Sequence, residues 1–224
     1  MKKMLGYALS LMVLAILVSS CYREWESAGF SGRIVNARDG EPVSGAIVVA
    51  HWDLVGPNEG YPRGQLAVIE TITDAEGRYQ IHGWGPQRVS GAGRVRGDAP
   101  LVHIFKHGFV PVVLTNIGPG YTGDRMLAPP RIISRLDGQT IQLIPFEGSN
   151  REYASLLDAF YVRLHYLVMQ PCNWNSAPEM FAALSSLGKQ FSAQDIRSSL
   201  PNIDGLCKRD KDERGSLGHA SISS

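Results

Sequence analysis

Apolar and polar residues alternate through the first two thirds of the chain, which predicts a β-rich domain. Residues 66–81 are typical of two strands joined by a tight turn. Asp74 at the first corner can accept a backbone hydrogen bond, and Gly77 at the fourth tolerates a positive φ. In the second strand Tyr79 and Ile81 alternate with polar neighbours, as in a strand with one buried face. This segment therefore predicts a β-hairpin at the centre of a small sandwich.

Beyond residue 148 the apolar period changes from two residues to 3.6 residues, which predicts helices. Residues 149–152 resemble a capping box. The apolar residues that follow lie on one helical stripe that ends before Pro171: Tyr153, Leu156, Leu157, Phe160, Leu164, Leu167 and Val168. A second helix is predicted from residues 176–179 to Gly188, and a shorter third from Ser192 to Leu200.

Residues 46–50 form an apolar strand in which Val48 and Ile47 point to opposite faces, so both faces need a cover. One face belongs to the sandwich core, and we expect the first helix to pack on the other. Two alternatives remain: the stripe is the core of an independent helical bundle, or it stays open for a partner protein. A polar tail, residues 208–224, is predicted to be disordered.

The N-terminus is typical of a bacterial secretion signal. Lys2 and Lys3 precede an apolar run that is too short for a stable membrane span. Residues 17–21, Leu-Val-Ser-Ser-Cys, resemble the lipobox of bacterial lipoproteins, in which the cysteine is acylated and becomes the first mature residue. The resemblance implies a signal peptide over residues 1–20 and a membrane anchor of acyl chains on Cys21. An ordinary signal peptide and an N-terminal anchor helix are the alternatives.

Three further expectations follow from this anchor. Residues 21–29 are predicted to be a short tether, and Tyr22, rather than an aspartate, after Cys21 favours the outer membrane, facing the periplasm. Cys172 and Cys207 form an even pair in an oxidising compartment, so a disulfide is expected. Two free thiols in a metal or redox role are the alternative, without a CxxC spacing to support it.

Charge excludes one class of partner. Removing residues 1–20 takes two lysines from 22 basic residues and leaves 20 against 21 acidic ones, a net charge of −1. Nucleic-acid binding depends on neutralising phosphates with Lys and Arg, so nucleic acid is not the expected partner.

Three segments resemble the carboxypeptidase regulatory-like domain, whose usual text is G-x-V, then G-x-P-L-x-G-A-x-V, then T-D-x-x-G-x-Y. They are residues 32–35, 39–48 and 73–79, and the resemblance extends from residue 30 to about residue 82. It implies a transthyretin-like antiparallel Greek-key β-sandwich, which we place at residues 30–147. The predicted fold is mainly β with α, because a helical segment, residues 148–207, follows and packs on the sandwich.

Candidate binding residues lie in the glycine-rich segment 83–100, which is predicted to be a mobile basic loop. Its candidates are Trp84, Arg88, Arg94 and Arg96, which could contact anionic headgroups or a glycan. A flexible connection with solvated arginines is the simpler interpretation. Trp52 and Tyr61 are further aromatic candidates for a glycan site.

No catalytic or metal-binding motif stands out. His103 and His107 are four residues apart, but a zinc site needs at least three protein ligands, so both are interpreted as strand-edge residues. No GxSxG motif is present. We therefore expect no enzyme, no cofactor and no metal.

The sequence predicts a membrane-anchored periplasmic lipoprotein whose sandwich is a non-catalytic interaction or assembly module with an envelope protein partner. A glycan-binding or cell-wall-binding module is one alternative. An accessory subunit of an envelope enzyme or transporter is the other.

Overall fold

The computed structural model describes residues 22–56, 62–90, 93–117, 131–164 and 173–203. Within these ranges the chain forms eleven strands followed by two α-helices, so the prediction of a mainly β fold with a C-terminal helical segment is confirmed. The strands, in chain order, are β1 (Tyr22–Ser27), β2 (Phe30–Asn36), β3 (Ile47–Val55), β4 (Pro62–Ile72), β5 (Arg78–Ile81), β6 (Trp84–Ser90), β7 (Arg94–Val95), β8 (Leu101–Phe105), β9 (Val112–Thr115), β10 (Arg131–Ile132) and β11 (Gln139–Leu143).

One layer of the sandwich is a long ribbon made of two three-stranded sheets. Their strand orders are β10-β1-β6 and β11-β2-β5. β1 and β2 follow one another along the chain and run antiparallel to β6 and β5. β10 and β11 pair parallel with β1 and β2, so the layer is not antiparallel throughout.

The other layer is a five-stranded sheet with the order β4-β3-β8-β9, in which β7 also pairs with β3. The two layers enclose a core to which the ribbon and the five-stranded sheet both contribute. Its fully buried members include Trp25, Ile34, Ile81, Val48, Trp52 and Ile104. Burial of such side chains is the main term that stabilises the sandwich.

The predicted turn between β4 and β5 is present. Gly77 has a φ of 73°, and its N–H donates to the carbonyl of Asp74 at 3.0 Å. The Asp74 carboxylate also accepts from the N–H of Glu76 at 3.0 Å and of Arg78 at 2.8 Å. The predicted pairing is wrong, because β4 pairs with β3 and β5 with β2, in opposite layers. The turn is thus a crossover between the layers.

Two helices follow the strands: α1 (Asn150–Leu164) and α2 (Pro178–Ser192), with a short 3-10 helix (Asn173–Ser176) between them. The capping box before α1 is confirmed: Ser149 N–H donates to the Glu152 carboxylate at 2.7 Å, and Glu152 N–H donates to Ser149 Oγ at 3.3 Å. The predicted third helix is wrong, because α2 continues to Ser192 and residues 193–203 are not helical.

Both helices cover the outer face of the five-stranded sheet. Ile47 and Val49 of β3 and Phe105 of β8 form a second core with apolar side chains of the helices, among them Tyr153, Leu157, Phe160, Met180, Phe181 and Leu184. The two apolar faces of β3 therefore belong to two different cores. The central strand β3 is thus buried on both faces, whereas β4 and β9 remain partly exposed.

The segment predicted to be a tether is structured, because Tyr22–Ser27 forms β1 and its Trp25 side chain is fully buried. Cys21, Cys172, Cys207 and the predicted disordered tail lie outside the described residues. Among the residues that are described, no helix is long and apolar enough to cross a membrane.

Candidate functional site

The segment predicted to be a mobile basic loop forms strands instead. Residues Trp84–Ser90 are β6 and Arg94–Val95 are β7, so the prediction of an irregular loop over residues 83–100 is wrong. β6 pairs with β1 along its length, and β7 pairs with the end of β3. These long-range pairings order a glycine-rich sequence that has few local signals of a strand.

The three candidate arginines do not converge on one site. Arg88 donates to the Glu24 carboxylate of β1 at 2.7 Å. Arg96 forms a two-pronged ion pair with Asp98, with distances of 3.0 and 2.6 Å. Arg94 is exposed on β7, where it pairs through the backbone with Val55.

Of the aromatic candidates that the structure describes, Trp52 and Trp84, neither presents a fully exposed ring. Trp52 is fully buried in the sandwich core. Trp84 is half-buried and packs edge-on against Trp52, with ring centroids 5.4 Å apart. A sugar needs an exposed aromatic face on which to stack, and Trp52 presents none. Tyr61 lies outside the described residues.

An open groove of ≈ 790 Å³ lies on the outer face of the ribbon, beside the end of β4. Its floor is polar because Ser31 and Arg33 of β2 and Arg78 and Gln80 of β5 point outwards, away from the core. Ile72, at the end of β4, is an apolar member of its wall and is 48% exposed. The remaining lining residues are Gly32, Thr71, Asp74, Tyr79, His82 and Gly138.

Charged groups at one side of the groove are held by hydrogen bonds. Arg78 contacts the carboxylates of Asp74 at 3.3 Å and Glu76 at 2.9 Å. Arg33 Nε donates to the Glu76 carbonyl at 3.0 Å. The hydrogen bond from the Arg78 backbone N–H is the main reason that the pKa of the Asp74 carboxyl lies below its usual value. Asp74 therefore stays ionised beside the groove at neutral pH.

Tyr79 also lines the groove, and its ring is buried in the sandwich core beneath the groove. Its ring lies over Gly32, where an added Cβ would stand 2.6 Å from the phenol oxygen. This contact explains the glycine in β2, because any larger residue would displace the ring. The Tyr79 hydroxyl is buried without a hydrogen-bond partner, and burial, followed by the charge of Asp137, raises its pKa to about 12. The phenol is therefore a neutral group buried in the sandwich core.

A second polar cluster lies in the core between the five-stranded sheet and the helices. His51 of β3 and His103 of β8 are both fully buried and stack with ring centroids 5.1 Å apart. Asp53, also buried, is 2.8 Å from His51 Nδ1. The side of the His103 ring packs against Phe160 of α1, with ring centroids 5.5 Å apart.

The interpretation of His103 as a strand-edge residue is wrong, because its side chain is fully buried, whereas His107 is exposed. The cluster could have been found from the two-residue period of β3, because His51 and Asp53 continue the face of Ile47 and Val49. Over the described part of the chain, no group of three or more His, Cys, Asp or Glu residues is placed to hold a metal ion.

No protein-family model and no curated protein matches the chain. Solved structures with similar folds do exist. The chain is similar to 3-chlorocatechol 1,2-dioxygenase from Rhodococcus opacus 1CP, with 15% identity and a TM-score of 0.32, over 54% of this chain and 60% of that one. Catechol 1,2-dioxygenase from Pseudomonas arvilla C-1 is similar at 20% identity and a TM-score of 0.31, over 57% and 54% of the two chains.

A further similar structure is an alternative pilotin of the type II secretion system of Vibrio cholerae, with 12% identity and a TM-score of 0.27, over 54% of this chain and 97% of that one. The chain thus spans 60% and 54% of the two dioxygenases. At these identities the similarity concerns the fold alone.

These comparisons correct one expectation from the sequence. Intradiol ring-cleavage dioxygenases are prominent among the similar structures, whereas the chain was expected not to be an enzyme. The expectation rested on missing catalytic motifs and on a family of sandwiches without activity of their own. One fold hosts many different functions, so the sandwich by itself gives no ground for excluding catalysis.

Proposed function

We propose that the chain is a lipoprotein of the bacterial envelope that is anchored through Cys21 and binds a protein partner in the groove on the outer face of the ribbon. The anchor is supported by the lipobox-like residues 17–21 after an apolar run. The resemblance of residues 30–82 to the carboxypeptidase regulatory-like domain supports binding to a protein partner. In that family the sandwich is an attached module of proteins with many different activities.

The observation that carries the proposal is the groove itself. The helices cover the five-stranded sheet, whereas the polar side chains on the outer face of β2 and β5 are exposed in the part of the chain that the structure describes. The groove combines an exposed apolar side chain, Ile72, with the charged side chains of Arg78 and Asp74. An apolar contact surrounded by polar groups is the usual composition of a protein-binding surface.

A matched pair of substitutions tests the proposal. Ile72 and Val162 are both exposed apolar side chains, at 48% and 61%, but Ile72 lines the groove and Val162 lies on α1. Full-length protein is purified in mild detergent from its native envelope as the wild type, as Ile72→Ser and as Val162→Ser. We expect a stoichiometric partner with the wild type and with Val162→Ser, and its loss with Ile72→Ser.

Intact-mass analysis of the same samples tests the anchor. Acyl mass should be present on the wild type and absent from a Cys21→Ser variant. A protein without acyl chains would contradict the anchor, and an acylated protein that elutes alone would contradict the partner site.

A further inference from the structure

The sandwich begins directly at the proposed site of lipidation. β1 starts at Tyr22, the residue after Cys21, and Tyr22 pairs with Ser90 of β6. Adjacent Cα atoms are about 3.8 Å apart, so no flexible linker would separate acyl chains on Cys21 from the first strand. The end of the sandwich that carries Tyr22 must then lie at the membrane surface.

Strand pairing shows which other residues share that end. Arg94 follows Ser90 by four residues, and it pairs with Val55 of β3. Val55 pairs on its other side with Pro62, the neighbour of Arg63. Arg94 on β7 and Arg63 on β4 therefore flank the end of β3. Since adjacent strands are about 4.8 Å apart, Arg94 and Arg63 lie within about three strand spacings of each other. We call this surface the Tyr22 end: residues 22–24, 54–56, 62–65, 88–90 and 93–95.

The Tyr22 end is positively charged. Its exposed charged side chains, among the described residues, are four arginines and one glutamate, a net charge of +3: Arg23, Arg63, Arg88, Arg94 and Glu24. Only Arg88 is neutralised within the group, by its ion pair with Glu24. The whole chain without residues 1–20 has a net charge of −1, so this concentration of arginine is local.

The geometry points to the Tyr22 end as a docking surface for the anionic phospholipid headgroups of the membrane that holds Cys21. This inference rests on the proposed lipid anchor. Acyl insertion brings the end to the bilayer, and Arg23, Arg63 and Arg94 then contact headgroup phosphates, as basic residues beside a membrane anchor do.

The same geometry sets the orientation of the molecule. β1 and β2 run from Tyr22 to Asn36, up to about 45 Å away at the usual rise of a strand. Arg38, which pairs with Glu147, and Arg151 at the start of α1 lie at that far end. The ribbon therefore stands away from the membrane and presents its outer face to the periplasm.

Modification of arginines by phenylglyoxal tests the orientation in the acylated full-length protein. The protein is placed either in detergent or in vesicles of phosphatidylethanolamine and phosphatidylglycerol, and each arginine is followed by peptide mass. We expect Arg23, Arg63 and Arg94 to react about threefold or more slowly in the vesicles, and Arg38 and Arg151 to react at equal rates. Vesicles of phosphatidylcholine alone should protect less, because they lack the anionic headgroup.

A flexible Gly-Ser spacer of about ten residues between Cys21 and Tyr22 is the matched control, and it should abolish most of the protection. Equal reactivity at the two ends of an acylated protein, protection that the spacer leaves unchanged, or equal protection by phosphatidylcholine would each overturn the inference while the lipid anchor stands. A Cys21 without acyl mass would instead overturn the proposed anchor, and the inference with it.

Discussion

The imidazole rings of His51 and His103 stack 5.1 Å apart on neighbouring strands, in the core between the five-stranded sheet and the helices. Both side chains are fully buried, and neither nitrogen of His103 has a hydrogen-bond partner. Burial, followed by the charges of His51 and Arg163, holds the pKa of His103 well below its usual value of 6.5. His103 is therefore neutral in the folded protein.

Because His103 is neutral in the folded protein, we expect the free energy of unfolding to fall in acid. Below the unfolded pKa of 6.5 the unfolded chain takes up a proton at His103 that the folded chain does not, so stability is lost as the pH falls. We expect this residue to lower the free energy of unfolding by up to about 1.4 kcal/mol per pH unit below that value. Urea unfolding of the wild type and of His103→Leu at several pH values would measure the difference. The matched control is the exposed His107→Gln variant, and equal pH slopes for the wild type and His103→Leu would contradict a depressed pKa at His103.

The contact between Phe160 and the five-stranded sheet predicts how strongly α1 is held. Phe160 is buried against His103 and Phe105, whereas Val162 on the same helix is 61% exposed. Phe160→Ala should lower the free energy of unfolding by about 3–5 kcal/mol, because it removes a buried ring and leaves a cavity. Val162→Ala should change it by less than about 0.5 kcal/mol. Similar costs in the two variants, measured by chemical denaturation, would argue against the packing of α1 on this sheet.

Gly32 predicts a steric effect in the ribbon. A Cβ at this position would lie 2.6 Å from the Tyr79 hydroxyl and 2.7 Å from the Gln139 carbonyl oxygen. Gly32→Ala should therefore lower the free energy of unfolding by about 1–3 kcal/mol. Ser31→Ala, at the exposed neighbour, is the control. If Gly32→Ala were as stable as this control in thermal unfolding, the Tyr79 ring could not lie over Gly32.

A carboxylate of the sheet caps the second helix across the domain. Glu70 of β4 accepts hydrogen bonds from Glu179 N–H at 2.9 Å and Met180 N–H at 2.8 Å, in the first turn of α2. Glu70→Ala should cost about 1–2 kcal/mol of stability, as removal of a helix cap does. Glu70→Gln keeps one oxygen acceptor and should cost less. Urea titrations would contradict the cap if both variants matched the wild type.

Features that depend on a few neighbouring residues were predictable. The turn at Asp74–Gly77 and the capping box at Ser149 and Glu152 are formed by side chains that bond to backbone groups two to four residues away. The two-sided pattern of β3 likewise indicated that its second face needed a cover. Local chemistry cannot say which strands pair, and so β4 and β5 were wrongly joined in one hairpin.

The amino-acid sequence by itself determined the alternation that makes the sandwich, the helical stripe of α1 and the position of Cys21 at the end of a lipobox-like segment. Only the tertiary structure decided that the glycine-rich segment from Trp84 is a strand beside β1, and that the rings of His51 and His103 stack in the second core. The physical reason is that pairing and stacking join residues that are tens of positions apart. Their energy depends on the whole fold, whereas turns and caps depend on neighbouring residues alone.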